Sequence, residues 1–202
     1  MLEVDEDSRL GRELIAGGTR YHAHFVPDED AVADFYVEAC ETLEVAGVAQ
    51  YEISNFARPG FESQHNLKYW TRQPYLGFGV DAHSMLISRR PDVEAVRFST
   101  SDMLEEYAAG SSLKGIAVSK NAALEEALFL GLRLNRGLDL QRVEEIFGPI
   151  ALSELRPTIS SLISGGLLLQ DGDSVRLTSR GRLLSNEVFQ SFIVPAETGA
   201  SS

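Results

Sequence analysis

Apolar side chains at Val32, Phe35, Tyr36, Ala39, Leu43 and Ala46 recur at helical spacing behind Pro27-Asp28-Glu29-Asp30, and Gly47 closes the run. The carboxylates gathered at the start face the positive end of the helix they open. Gln50 to Phe56 alternates apolar and polar, which predicts a strand. Leu2-Glu3-Val4 reads as the end of an earlier strand, so the order is strand, helix, strand, the pattern of a β/α layered or barrel fold. Residues 57–91, rich in Gly, Pro, Asn, Gln and His, predict a long loop region of the kind that carries function. A short strand around Val96-Arg97-Phe98 and a helix from about Ser101 to Ala109 follow, and Gly110-Ser111-Ser112 reads as a linker.

The periodicity then changes. Ser119 or Asn121 caps a helix with Leu124, Leu128, Gly131 and Leu132 on one face, and Gly137 breaks it. A short helix presents Leu140, Val143 and Phe147. Another carries Leu155, Ile159, Leu162 and Ile163, and it starts or kinks at Pro157 before Gly165-Gly166 stops it. Leu167 to Gln170, the turn Asp171-Gly172 and Val175 to Leu177 predict a hairpin. Thr178 caps a last helix reaching about Phe192, and 196–202 reads as a frayed tail. Helices, hairpin and helix in this order predict a winged-helix-like α+β module.

Composition narrows the function. The 202 residues are 44% hydrophobic and 24% charged, ordinary for a globular chain. No apolar run approaches the length of a bilayer span. Met1 to Arg12 is charged and acidic, unlike a signal peptide, and the single cysteine, Cys40, excludes an intramolecular disulfide. The default compartment is the cytoplasm. The net charge of −12 divides into −10 before about residue 115 and −2 after it. Neither part has the positive excess that phosphate binding needs, so nucleic acid and anionic membrane surfaces are disfavoured partners.

The residues that carry chemistry cluster between 51 and 84. The strand ending at Asn55 delivers Asn55 and Arg58 to its C-terminal end, where β/α barrels place their active sites. Arg58 suits a two-pronged hydrogen bond to a carboxylate. His65 and Tyr69, if locally helical, lie one turn apart on the same side. Tyr69 and Trp70 offer flat aromatic surface, and Gly77 and Gly79 allow close backbone approach. This set suits a flat, carboxylate-bearing ligand such as a porphyrin, with His65 as a candidate axial ligand to haem iron. The plainer reading makes His65 a hydrogen-bonding loop residue, Arg58 an ion-pair residue, and Tyr69 and Trp70 packing aromatics.

Several segments are each similar to a radical-SAM family, the haem chaperones of the HemW type and the oxygen-independent coproporphyrinogen III oxidases. They are Tyr51-Glu52-Ile53-Ser54-Asn55-Phe56-Ala57-Arg58-Pro59-Gly60, His65-Asn66-Leu67 with Tyr69-Trp70, Tyr75-Leu76-Gly77 with Gly79, and Ala82-His83-Ser84. Further likeness lies in Phe129 to Arg133, Gly137-Leu138, Gly166 to Leu168, and Leu177-Thr178 with Gly181-Arg182. The resemblance implies an α/β fold. Residues 1–115 would be the C-terminal portion of a partial (β/α) radical-SAM barrel, 116–195 a HemN-type winged-helix-like domain, and 196–202 a disordered tail. It implies haem or porphyrin binding through His65, Asn66 and Tyr69, joined by Arg58 and His83, with Asn55, Gly77 and Gly79 shaping the loop. His65, Asn66 and Tyr69 favour the chaperone branch, which binds haem and passes it to an acceptor protein, over the oxidase branch, which decarboxylates propionates. Gln64 and Val80-Asp81 depart from the family pattern.

The family also implies a [4Fe–4S] cluster on three cysteines and S-adenosyl-L-methionine. With Cys40 alone, no iron–sulfur ligand set lies in this chain, and both groups are expected in an N-terminal half that it lacks. The chain then reads as a C-terminal fragment, inactive by itself. A third reading, from another class, is a winged-helix interaction module.

Overall fold

The computed structural model describes residues 6–17, 27–91, 93–110 and 113–193. The strand end at Leu2-Glu3-Val4, the linker serines 111 and 112 and the tail 196–202 lie outside the described residues. The chain divides into two compact units, Met1–Gln50 with Ser54–Phe61, and Tyr51–Ile53 with Glu62–Ser202.

In the first unit, α1 (Arg9–Ile15) is capped by the Ser8 hydroxyl, which accepts from the Gly11 amide at 2.9 Å. Helix α2 (Glu29–Val45) is capped by Asp28, whose Oδ1 accepts from the Ala31 amide at 2.8 Å. It ends where Gly47 takes φ +74° and its amide donates to the Glu44 carbonyl at 2.9 Å. Both ends fall where the pattern predicts. Phe35 (60%) and Val45 (91%) are exposed on this helix. The predicted strand from Gln50 to Phe56 is instead two strands, β1 (Ala49–Glu52) and β2 (Asn55–Ala57), joined through Ile53-Ser54.

The second unit holds the core. The stretch expected to be loop contains α3 (Gln64–Trp70) and β3 (His83–Ile87). β3 joins β4 (Ala95–Ser99) and β5 (Lys114–Val118) in an antiparallel sheet of order β3-β4-β5, with His83 opposite Ser99 and Ser99 opposite Lys114. The short helix α4 (Leu104–Ala108) lies between β4 and β5 in the chain. Every strand pair with a defined register is antiparallel, and the described strands do not close into a barrel.

Helix α5 (Lys120–Arg133) begins at Ser119, whose hydroxyl accepts from the Ala122 amide at 3.2 Å. Two clusters form around it. Met85, Ala95, Val118 and Ala123 meet Val143 and Phe147 of α6 (Leu140–Phe147). Leu128 and Leu132 meet Leu152, Ile159 and Leu162 of α7 (Pro149–Ser164) and reach Val188 and Phe192. Helix α7 starts at Pro149, eight residues before Pro157, which sits exposed inside it. A two-residue strand that the pattern did not suggest, β6 (Leu138–Asp139), pairs with β8 (Ser174–Leu177), which also pairs with β7 (Leu168–Asp171). Thr178 caps α8 (Ser179–Leu183) through the Gly181 amide at 2.9 Å, and α9 (Ser185–Gln190) replaces the predicted continuation of that helix.

Candidate functional site

Helix α3 exists because Ser63 supplies its cap: the hydroxyl accepts from the Asn66 amide at 3.3 Å, and the Ser63 carbonyl accepts from the Leu67 amide. Helical spacing then puts His65 and Tyr69 on one side. Their rings meet edge to face, 5.0 Å between centroids at 83°. Tyr69 in turn meets Tyr75 at 4.6 Å and 68°, so three rings run in series from an exposed imidazole towards β3. Tyr75 is fixed there by paired backbone hydrogen bonds with Met85, 2.9 and 3.0 Å. Burial pushes the Tyr75 hydroxyl above its ordinary pKa. Tyr69 and Glu126 act in the same direction, and Arg97 opposes them.

Trp70, the next residue of α3, lies under the Arg133 guanidinium, 4.4 Å from ring centroid to Cζ. Arg133 Nη2 donates to Glu52 Oε2 at 3.3 Å, and Glu52 is fully buried. A second buried carboxylate, Glu126 on α5, takes two arginines. Arg72 Nε donates to Oε2 at 3.1 Å and Arg97 Nη1 to Oε1 at 2.8 Å. Arg72 holds a left-handed backbone, φ 51°, uncommon for a side chain of this size. A cavity of about 310 Å³ lies beside this cluster, walled by Tyr69, Trp70, Tyr75 and Met85. A larger one of about 830 Å³ is lined by Trp70, Arg72, Leu138, Val143 and Phe147 among others.

His83 opens β3 instead of lying on a loop. Its side chain is 70% exposed, and Nε2 stands 3.7 Å from Asp81 Oδ1. The segment before it is held by Thr100, whose Oγ1 donates to the Gly79 carbonyl at 2.6 Å and accepts from the Ala82 amide at 2.8 Å. Gly77 has a local steric reason to be glycine: a Cβ there would stand 2.3 Å from the His83 carbonyl oxygen. Gly79 takes φ +110°, which side chains rarely adopt. Asn55, on β2, and the exposed Arg58, whose carbonyl accepts from the Phe61 amide at 2.9 Å, belong to the first unit. Cys40 is half-buried within α2. No group of three or more His, Cys, Asp or Glu residues placed to hold a metal occurs among the described residues.

Sequence reasoning reached His65, Tyr69 and Trp70, and the structure joins the first two. It did not reach Arg72, Arg97 and Glu126. Arg72 and Glu126 are 54 positions apart, and no local pattern signals that they meet.

Residues 118–184 match the family described as the HemN C-terminal domain. Among solved structures the chain resembles coproporphyrinogen III oxidase (HemN) from Escherichia coli, a radical SAM enzyme. The TM-score is 0.60 and the identity 20%, covering 82% of this chain and 42% of that one. The architecture is thus α/β, corresponding to the C-terminal part of that fold. Among curated proteins it is 36% identical over 176 residues to the haem chaperone HemW of Bacillus subtilis, covering 83% of this chain and 44% of the relative. It is 30% identical over 184 residues to the mitochondrial radical S-adenosyl methionine domain-containing protein 1 of Danio rerio, covering 85% and 41%. Residues 118–184 thus carry the HemN C-terminal domain, and the chain as a whole is similar to the C-terminal half of HemW and HemN proteins. It spans less than half the length of these curated relatives.

Proposed function

We propose that this chain is the haem-handling part of a haem chaperone, in which haem is cargo bound here and passed to an acceptor protein. The observation that carries this reading is the His65–Tyr69 pair on α3. It combines an exposed imidazole, open to an iron atom, with an edge-to-face aromatic neighbour one helical turn away. The haem chaperones among the relatives support it over the oxidase. In this reading His65 is the haem iron ligand, Asn66 and Tyr69 border the porphyrin, and His83 is the rival ligand. Gly77 and Gly79 shape the surrounding backbone. The protein acts in the cytoplasm. No helix among the described residues is long and apolar enough to cross a membrane.

The cofactors of radical SAM chemistry stand differently. A [4Fe–4S] cluster needs three thiolates and this chain has one cysteine, so its residues do not fit the cluster. S-adenosyl-L-methionine is assigned with the cluster to an N-terminal radical-SAM half. The fold shared with HemN keeps oxygen-independent coproporphyrinogen III oxidation as the second reading for the intact protein.

Residues 116–195, a winged-helix-like domain in this proposal, form a passive cover or a protein-interaction module. The order of helices α5 to α7, the β7–β8 hairpin and α8 supports that assignment. A haem titration of the full chain, followed in the Soret band, tests the proposal: saturable binding that depends on His65 supports it, and binding indifferent to both His65 and His83 overturns it.

A further inference from the structure

Arg72 and Arg97 converge on a single carboxylate. Glu126 is the one acidic side chain within ion-pair distance of either arginine among the described residues, so the trio keeps one positive charge uncompensated. Arg72 and Glu126 side chains are each 11% exposed. Arg97 is 43% exposed, the solvent-facing member, and it lines the 310 Å³ cavity together with Tyr69, Trp70 and Tyr75. An arginine whose charge the trio leaves uncompensated, lining a cavity with aromatic walls, favours a planar anion carried on an apolar body.

We infer that this cavity is a carboxylate-binding site in which Arg97 is the anchoring residue, Tyr75 offers its hydroxyl, and Tyr69 and Trp70 form the walls. Glu126 and Arg72 are positioning residues: Glu126 holds Arg97 by one oxygen, and Arg72 occupies the other. The protonated Tyr75 hydroxyl is a donor, and the raised pKa described above keeps it so. Resting on the haem reading, the carboxylate is assigned to a porphyrin propionate. His65 and Tyr75 are linked through Tyr69 by two ring contacts, so a flat ligand on one reaches towards the other. This places the specificity-determining arginine at Arg97, 32 positions beyond His65 in the chain.

Two titrations of the full chain test this separately. In the first, benzoate and methyl benzoate are followed by the fluorescence of Trp70, the single tryptophan and part of the cavity wall. Benzoate should change it saturably and the ester should not, with the effect lost in Arg97→Gln and partly kept in Arg97→Lys. In the second, haem is compared with haem dimethyl ester. The diacid should bind about tenfold tighter, the worth of one charge-assisted hydrogen bond, and Arg97→Gln should erase the preference without weakening the ester. An absent benzoate response, or one unchanged in Arg97→Gln, overturns the carboxylate site. A benzoate response combined with equal binding of haem and its ester overturns the propionate assignment. A benzoate response with neither porphyrin bound overturns the haem reading alone and leaves the cavity as a site for small carboxylates.

Discussion

The Arg133 guanidinium stands 4.4 Å from the Trp70 ring centroid and at the same time donates to the fully buried carboxylate of Glu52 at 3.3 Å. One side chain of α5 thus covers the aromatic end of α3 and pairs with a buried carboxylate. Removing it takes one charge-assisted hydrogen bond away from a carboxylate in the interior, which costs more than the ion pair contributes. Arg133→Ala should lower stability by about 3 kcal/mol. Arg133→Lys, which keeps charge but loses the planar stack, should cost less. Urea denaturation checks both, read as a lower midpoint at unchanged slope.

Gly181 is buried in α8, where a Cβ would stand 2.0 Å from the Leu167 carbonyl oxygen. That neighbour is backbone and cannot swing aside. Gly181→Ala should cost about 1–3 kcal/mol through forced separation of α8 from the start of the hairpin. Gly165→Ala is the matched control: it has φ −75° and only ordinary contacts of 3.5 Å or more, so its midpoint should hardly move. Equal losses in the two variants would show that the close approach is not what decides.

Tyr75 binds its proton more tightly in the folded chain than in the unfolded one, chiefly because burial disfavours the phenolate. A group with a raised folded pKa contributes stability below its ordinary value, and that contribution is lost as pH rises through the folded value. Stability should therefore fall above about pH 10, and Tyr75→Phe should lose less over the same range. In a tyrosinate absorbance titration, the native chain should show a tyrosine that ionises above the ordinary value, and that step should be missing in Tyr75→Phe.

Residues 116–195 should not retard random duplex DNA at physiological ionic strength. Arg142 is spent on Glu145 at 3.0 Å, and the second half of the chain carries −2 overall. A salt-sensitive shift in an electrophoretic assay of the full chain would mean that a basic face binds despite the count.

Elements with a side-chain signal at their start were legible. Thr178 caps the helix expected of it, Ser119 is the one of the two candidates Ser119 and Asn121 that caps α5, and the acidic run that opens α2 supplies its cap through Asp28, because capping is a contact across three residues and needs no tertiary information. The β1–β2 break was not, since Ile53-Ser54 lacks the glycine or asparagine that marks a tight turn. Helix α3 is seven residues long, too short for an apolar period, and shows itself only through Ser63. β6 has two residues and exists by pairing with β8, 36 positions away. The candidate site divides the same way. His65 and Tyr69 are one turn apart and could be read together. Glu126 with its two arginines, and Glu52 with Arg133 at a separation of 81, are products of packing.

In the proposed function His65 on α3 receives haem iron. Haem titrated into the full chain, its His65→Ala, His83→Ala and Tyr69→Phe variants, and followed in the Soret band, tests it most directly. His65→Ala removes the proposed iron ligand, Tyr69→Phe keeps the ring that touches His65, and His83 sits on β3 beside Asp81. The account predicts a shifted band and at least tenfold weaker binding in His65→Ala, with smaller changes in the other two. A Soret band abolished by His83→Ala and untouched by His65→Ala would contradict it.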